Sequence, residues 1–145
     1  MAGNPNTAPI YTKAGNVSTD NAGAMSQGIT AAAADYDGTS ANNVVVHTAG
    51  AEGSYVQRLR FVAKGSNVAT VARVYINNGD GNGTAANNSF IGQVSLPATT
   101  ASATAATIEP DYPLGFAIPA GYRVVVGLGT AVSAGWVCTA IAGNY

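Results

Sequence analysis

Charge is scarce in this sequence. Charged side chains make up 9% of the 145 residues, whereas about 25% is usual for a soluble protein. Six basic and seven acidic residues nearly cancel and leave a formal net charge of -1. The chain therefore has no broad field to attract nucleic acid or an anionic membrane, and we expect neither as a partner. Little charge also means little repulsion between copies, which favours a protein that works in an assembly.

Cysteine and histidine are almost missing. Cys138 is the single cysteine and His47 the single histidine, so no disulfide can close within the chain and no cysteine cluster can bind a metal. Cys138 shares a strand face with Trp136 and Ala140, which predicts a small buried core residue and not a reactive thiol. His47 has no carboxylate or nucleophile at a recognisable spacing, so we expect a structural role for it.

Long hydrophobic runs are missing as well. The N-terminus lacks the basic and apolar regions of a secretory signal, and no run approaches the roughly 18 apolar residues of a membrane span. We therefore expect the chain to be made and folded in a cytoplasm. A composition rich in Gly, Thr and Asn is nevertheless typical of exported or particle-forming β proteins. A virion component would satisfy both observations.

What the sequence does contain is a series of short alternating segments separated by turns. Residues 55–63 and 68–77 alternate apolar and polar side chains, and the Lys64-Gly65-Ser66-Asn67 segment between them predicts a turn that joins them as one β-hairpin. Further strands are predicted at residues 29–34, 43–49, 89–96, 104–109, 114–118, 122–128 and 136–142. Turns about every ten residues, without a helical period, predict an all-β fold: a single-domain β-sandwich of the jelly-roll type.

The N-terminal part has a different character. Residues 1–27 are rich in Gly, Pro, Asn and Thr with few large apolar side chains, which predicts an extended N-terminal arm followed by a β-sandwich domain over residues 28–145. The segment Pro9–Lys13 could add as an edge strand to a sheet of this subunit or of a neighbour. A disordered leader is the alternative interpretation.

Each strand of the predicted hairpin has one apolar face. The predicted core-facing residues are Tyr55, Leu59, Phe61 and Ala63 in the first strand and Val68, Ala72, Val74 and Ile76 in the second. The basic residues predicted on the outer side are Arg58, Arg60, Lys64 and Arg73, joined by Arg123. Such a basic face could meet acidic patches on a partner. It could equally keep the face soluble and block edge pairing.

One loop has the composition of a calcium site. Residues 77–83 place side-chain oxygens at Asn78, Asp80 and Asn82, as in the first half of an EF-hand loop. The second half is missing because the twelfth position is Ser89 and not a bidentate Glu. Asn, Asp and Gly are also the residues that a tight strand connection requires, so we favour a plain loop, with incidental calcium binding as the alternative.

Two pairs of carboxylates come at i, i+2 spacing. Asp35 with Asp37, and Glu109 with Asp111, could serve glycoside hydrolysis. Neighbouring glycine and proline residues favour solvated acids in turns instead. The sequence therefore predicts no catalytic, cofactor-binding or metal-binding residues, and a protein that is not an enzyme.

Four segments resemble the small all-β structural proteins of tailed bacteriophages: residues 49–60, 71–76, 114–122 and 135–145. The resemblance implies a virion protein, and among such proteins a capsid decoration or cement protein. It implies the major capsid protein and further copies of this chain, as a homotrimer, as partners. In that role the copies bind the outer capsid surface and bridge neighbouring major capsid subunits. Deletion of residues 1–20 is then expected to weaken capsid attachment while the domain stays folded.

A tail or fibre module that binds host surface glycan is the second interpretation. Glycan binding requires aromatic side chains gathered on an exposed surface. Tyr36, Tyr112 and Trp136 are the candidates, and they lie in separate segments. The fold would have to bring them together.

Overall fold

A computed structural model of the protein describes residues 14–18 and 28–145. Over these residues the chain forms eight β-strands and one short 3₁₀ helix, and no α-helix. The strands are β1 (Ala14–Ser18), β2 (Val44–Thr48), β3 (Ser54–Ala63), β4 (Thr70–Asn77), β5 (Asn88–Leu96), β6 (Asp111–Ile118), β7 (Arg123–Leu128) and β8 (Trp136–Asn144), with the 3₁₀ helix at Ala85–Asn87. The prediction of an all-β fold is confirmed.

The strands form two four-stranded antiparallel sheets. The first sheet has the order β1-β8-β3-β6 and the second the order β2-β7-β4-β5. Among the strands described, β4 and β5 are the one pair that is adjacent both in sequence and in a sheet. From β5 onward the chain changes sheets at each connection, so nearly all pairing is between strands distant in sequence.

The predicted hairpin is wrong. Residues 55–63 and 68–77 do contain strands, but β3 pairs with β6 and β8 in the first sheet, whereas β4 pairs with β5 and β7 in the second. The connection at residues 64–69 therefore crosses from one sheet to the other. Alternation predicts that a segment is a strand with one buried face. It does not determine which strand lies beside it.

A β-bulge changes which side chains of β3 face the core. The pairing of β3 with both of its neighbours shifts register just after Val56, so Val56 is buried before the bulge, and Leu59 and Phe61 are buried after it. Tyr55, which was predicted to face the core, is 38% exposed on the outer side. The extra residue of a bulge reverses the two-residue alternation, and the prediction for Tyr55 is wrong for that reason.

The hydrophobic core lies between the two sheets. Its largest side chains are Trp136, Phe61, Leu59, Leu96 and Leu128. Cys138 also belongs to the core, which confirms the prediction of a small buried residue. Full burial of a large aliphatic or aromatic side chain contributes about 1.5–3 kcal/mol. These side chains come from both sheets, so the core is what holds the two sheets together.

Two predicted strands are loops. Residues 29–34, all of them described, make isolated bridges from Ile29 to Trp136 and from Ala32 to Leu128 instead of a continuous ladder. Residues 104–109 lie in the described loop between β5 and β6, which forms no strand. The remaining predicted strands are confirmed with small shifts of their ends. The two wrong segments are rich in Ala and Thr, whose small side chains give no clear alternation between buried and exposed positions.

Part of the predicted N-terminal arm belongs to a sheet. Residues 14–18 form β1, which lies along β8 from Ala14 opposite Asn144 to Ser18 opposite Ala140. The predicted edge segment Pro9–Lys13 and the remainder of residues 1–27 lie outside the described residues. Deletion of residues 1–20 would remove β1 and leave one side of β8 unpaired. A test of the arm that spares the sheet has to stop at residue 13.

Candidate interaction surfaces

Three loops meet at one end of the sandwich and form a surface without charged side chains. We call residues 65–69, 97–108 and 129–135 the uncharged loop end. They connect β3 to β4, β5 to β6 and β7 to β8, and they contain no Asp, Glu, Lys or Arg. Val68 and Ile108 are 58% and 59% exposed there. The centres of protein interfaces are likewise poor in charged residues.

Asn67 holds the uncharged loop end together. Its Oδ1 accepts hydrogen bonds from the backbone nitrogens of Ala134 and Gly135, both at 2.9 Å, and its Nδ2 donates to the Gly135 oxygen at 3.1 Å. Its backbone forms a two-way bridge with Thr99. Asn67 is 5% exposed, so these bonds are made away from water. They fix three loops in one arrangement.

Two shallow grooves run along the loop between β5 and β6. One has a volume of about 350 Å³ and is lined by residues 97–100 and 106–108. The other, of about 230 Å³, is lined by residues 63–65, which include Lys64 at the margin of the uncharged loop end, and by residues 101, 102 and 105–107. The wall between them is made of Ala106 and Thr107. Small side chains and open grooves suit contact with another surface better than enclosure of a small ligand.

The outer face of the first sheet carries arginines that are paired within the chain. Arg58 Nη1 lies 3.4 Å from Asp111 Oδ2, and Arg60 pairs with Glu109. The hydrogen bond to Glu109 raises the pKa of Arg60. Glu109 and Asp111 are thus the ion-pair partners of two arginines of β3. The ion pairs cancel charge on this face, so it does not offer the free basic surface that the sequence suggested.

Arg73 does not belong to that face, and the prediction of one common basic face is wrong. Arg73 lies on β4 in the second sheet and is 9% exposed. Its Nη1 donates to the backbone oxygens of Ala33 at 2.9 Å and Asp35 at 3.0 Å. Residues 28–43 cover this side of the second sheet. A covering segment from elsewhere in the chain cannot be inferred from the alternation within β4.

Residues 28–43 also contribute Tyr36 to a cluster that we call the aromatic cluster. It consists of Tyr36, Arg73, Tyr75 and Phe90. The Arg73 guanidinium carbon lies 3.9 Å from the centre of the Tyr36 ring. The Tyr36 and Phe90 rings meet edge to face with their centres 5.7 Å apart, and Tyr75 and Phe90 are 5.5 Å apart. Tyr36 is 59% and Phe90 41% exposed, whereas Tyr75 is fully buried. The Tyr75 hydroxyl donates to the Asp35 oxygen at 3.0 Å.

The aromatic residues predicted for glycan binding are not brought together. Trp136 is buried in the core. Tyr112 is half-buried and donates its hydroxyl to the Ile91 oxygen at 3.4 Å. Tyr36 is exposed, but its neighbour is Phe90, which sequence reasoning missed as a candidate. Phe90 has the strand alternation of a core residue, and a register shift in the β4–β5 pairing, which skips Ile91, places it on the outer side opposite Tyr75.

The loop with calcium-like composition is held by its own amides. Asn78 Oδ1 accepts a hydrogen bond from the Asp80 backbone nitrogen at 3.0 Å. Asn82 Nδ2 donates to the oxygens of Gly38 at 3.2 Å and Ser40 at 3.0 Å. Asn78 and Asn82, two of the three predicted ligand positions, thus make hydrogen bonds that close the loop and connect it to residues 28–43. Among the described residues, no group of three or more His, Cys, Asp or Glu side chains could hold a metal ion.

The remaining candidate residues lie in environments that indicate structural roles. Asp35 Oδ1 accepts a hydrogen bond from the Gly38 nitrogen at 3.1 Å. Asp37 Oδ1 accepts bonds from the hydroxyl and backbone nitrogen of Thr39, and the hydroxyl bond is the larger reason why the pKa of Asp37 is lowered. His47 is buried at a register shift in β2. Burial raises the pKa of the Cys138 thiol, which opposes reactivity.

The chain matches no known protein family, no curated protein and no solved structure. The resemblance to phage structural proteins therefore stays a prediction that depends on the four segments quoted above. Within the part of the chain that the structure describes, no helix is long and apolar enough to cross a membrane. Any function must accordingly be argued from the surfaces themselves.

Asn67→Ala should loosen the uncharged loop end. The substitution leaves the backbone nitrogens of Ala134 and Gly135 without their acceptor, and we expect the free energy of unfolding to fall by about 2–3 kcal/mol. Urea denaturation measures the loss, and faster amide exchange at residues 134 and 135 would locate it. Asn42→Ala is the control, because Asn42 is exposed and its side chain donates one bond, to the Ala32 oxygen. Equal stability of the two variants would contradict this role of Asn67.

Tyr75 should make the protein less stable in alkali. Burial raises the pKa of Tyr75 from 10.0 to about 12. Between these values the unfolded chain has lost the proton and the folded protein keeps it, so the stability present below pH 10 falls as the pH rises to about 12. Urea midpoints at about pH 9 and about pH 11 should differ more for the wild type than for Tyr75→Phe. Equal differences would exclude Tyr75 as the cause.

Proposed function

We propose that this protein is a virion structural protein, a capsid decoration or cement protein that binds the outer capsid surface and bridges neighbouring major capsid subunits. The uncharged loop end is the observation that carries the proposal. Its three loops lack charged residues and are tied together by Asn67. A surface that is already ordered loses little conformational entropy on binding, and one without charges has little charge to strip of water.

We further propose that the sandwich is a jelly roll. The strand orders β1-β8-β3-β6 and β2-β7-β4-β5, with a chain that changes sheets at most connections, support this assignment. Jelly rolls of eight strands are common in viral capsid proteins and lectins. The fold alone does not establish a role. It is consistent with a virion component that acts through its binding surfaces and not through catalysis.

Self-association is part of the proposal. Several copies, in a homotrimer, would contact one another and the major capsid protein. Residues 1–13 precede β1, which lies at the edge of the first sheet. Thirteen residues can span at most about 45 Å when extended, which is sufficient to reach an adjacent subunit. Main-chain hydrogen bonds to that subunit would then strengthen attachment.

The alternative function is that of a tail or fibre module that binds host glycan. The exposed rings of Tyr36 and Phe90 favour it, although they are not the set of residues that the sequence suggested. Binding to a capsid and binding to a sugar can be measured separately. The first uses assembled capsids and the second uses the isolated protein.

A charge placed in the uncharged loop end should prevent decoration. Ile108→Glu puts a carboxylate where a partner would have to remove its water, and we expect at least a tenfold lower affinity, about 1.4 kcal/mol. Capsids assembled from the major capsid protein encoded with this chain would be mixed with purified variants, and occupancy would be read by electron microscopy. Ala120→Glu is the control, because Ala120 is exposed in the turn between β6 and β7 at the opposite end. Full occupancy by Ile108→Glu would refute the proposed contact.

Removal of residues 1–13 should weaken attachment to capsids without unfolding the protein, because the deletion stops before β1 and spares its pairing with β8. Occupancy and urea stability are the two measurements. The matched control is a chain in which residues 1–13 are replaced by a Gly/Ser segment of equal length, which keeps the reach but loses the side chains. A shortened protein that decorates at wild-type occupancy would show that these residues take no part.

A further inference from the structure

We propose that the aromatic cluster binds the pyranose ring of a carbohydrate, with the exposed face of Tyr36 as the stacking platform. This inference does not rest on the capsid role. It assigns a site and a ligand class to the alternative function. Three observations carry it: the contacts that hold Tyr36, its exposure of 59%, and the exposed polar residues that neighbour the cluster in sequence or strand register.

Tyr36 is exposed and yet held in place. The backbone on either side of it is fixed, because the Asp35 oxygen accepts bonds from Arg73 and Tyr75 and the Asp35 carboxylate accepts one from Gly38. The Tyr36 ring lies against the Arg73 guanidinium and stands nearly perpendicular to the neighbouring Phe90 ring. Little rotamer freedom remains to be lost on binding, which is the usual reason that rigid aromatic residues serve as binding anchors.

The orientation of the ring determines which part of it meets solvent. Arg73 covers one π face at 3.9 Å, and Phe90 approaches at an interplanar angle of 88°. Because Arg73 occupies one π face and Tyr36 is nevertheless 59% exposed, we place the sugar on the opposite π face. An aromatic face is electron-rich, so it attracts the weakly positive C–H groups that line one side of a pyranose.

Two exposed polar residues neighbour the cluster, Asp37 in sequence and Gln93 in strand register. Asp37 is exposed, and the hydrogen bonds from Thr39 to its Oδ1 lower its pKa and keep the carboxylate ionised. Gln93 is exposed and lies opposite Arg73 in the β4–β5 register, which places it on the same side of the sheet as the cluster. A carboxylate and an amide can each bond two neighbouring hydroxyls. An apolar platform with polar groups at its edge matches the two sides of a sugar.

The surroundings favour a sugar over a protein partner. A stable protein interface needs about 800 Å² on each side, and two exposed rings with exposed Asp37 and Gln93 as neighbours in sequence or register form a much smaller apolar area. A single pyranose is about the size of one aromatic ring. The uncharged loop end has a different character, with three loops that lack charged residues and with exposed Val68 and Ile108, and suits a protein surface better.

Saturation-transfer NMR with the isolated protein tests the site. The probes are the methyl glycosides of glucose, galactose, mannose and N-acetylglucosamine, each at about 10 mM, since one stacked ring is expected to bind with a Kd of about 1 mM. At least one of them should receive saturation at its ring protons. Tyr36→Ala should reduce the affinity at least tenfold, and Tyr36→Trp should retain it because the stacking face is kept.

Tyr55→Ala is the matched control. Tyr55 is an exposed aromatic residue on the other sheet, and its loss should leave the transfer unchanged. Urea denaturation of each variant separates lost binding from lost folding. Absence of saturation transfer from the wild type to any of the four glycosides, or equal transfer from Tyr36→Ala, would overturn the proposal. If Tyr36→Ala lowers capsid occupancy while the wild type binds no glycoside, the cluster is a protein contact and the sugar site is excluded, whereas the capsid role stands.

Discussion

The apolar faces of β3 and β4 contribute to one core from opposite sheets, and the rest of the structure depends on this arrangement. Leu59 and Phe61 of β3 and Ala72 and Val74 of β4 all belong to the one buried cluster. As neighbours in one sheet, the two strands would need some third element to cover their apolar side. Because they lie in opposite sheets, both bury their apolar faces in the core between the sheets, and their connection has to cross the end of the sandwich. That crossing places Asn67 where it can bind the loops before β8 and after β5.

The two outer faces of the sandwich differ in how their polar side chains are satisfied. The second sheet is covered by residues 28–43, which bury Arg73 and Tyr75 and supply backbone oxygens to both. The first sheet has no such cover within the described residues, and its arginines are neutralised by Asp111 and Glu109. Most arginines of this charge-poor chain thus form ion pairs or hydrogen bonds within the chain. What it presents outward is mainly neutral, at the uncharged loop end and at the aromatic cluster.

Both proposed functions depend on order that exists before binding. The uncharged loop end is fixed by the buried Asn67 amide, and the aromatic cluster by the buried Arg73 guanidinium, whose Nη1 donates to two backbone oxygens. In each case a buried polar group orients an exposed surface. The surfaces differ in what they can hold. Three loops with small and apolar side chains suit contact with a protein surface. One rigid ring with polar neighbours suits a sugar.

The sequence by itself determined the positions of most strands, the burial of Cys138 and the neutrality of the surface, because these follow from local alternation and composition. Tertiary structure alone decided that β3 and β4 lie in different sheets, that a bulge turns Tyr55 outward, and that Tyr36 meets Phe90. It also decided that Arg73 is buried while Arg58 and Arg60 are not. Each of these outcomes depends on which distant segments pair or cover one another, and the period of a single strand contains no information about its neighbours.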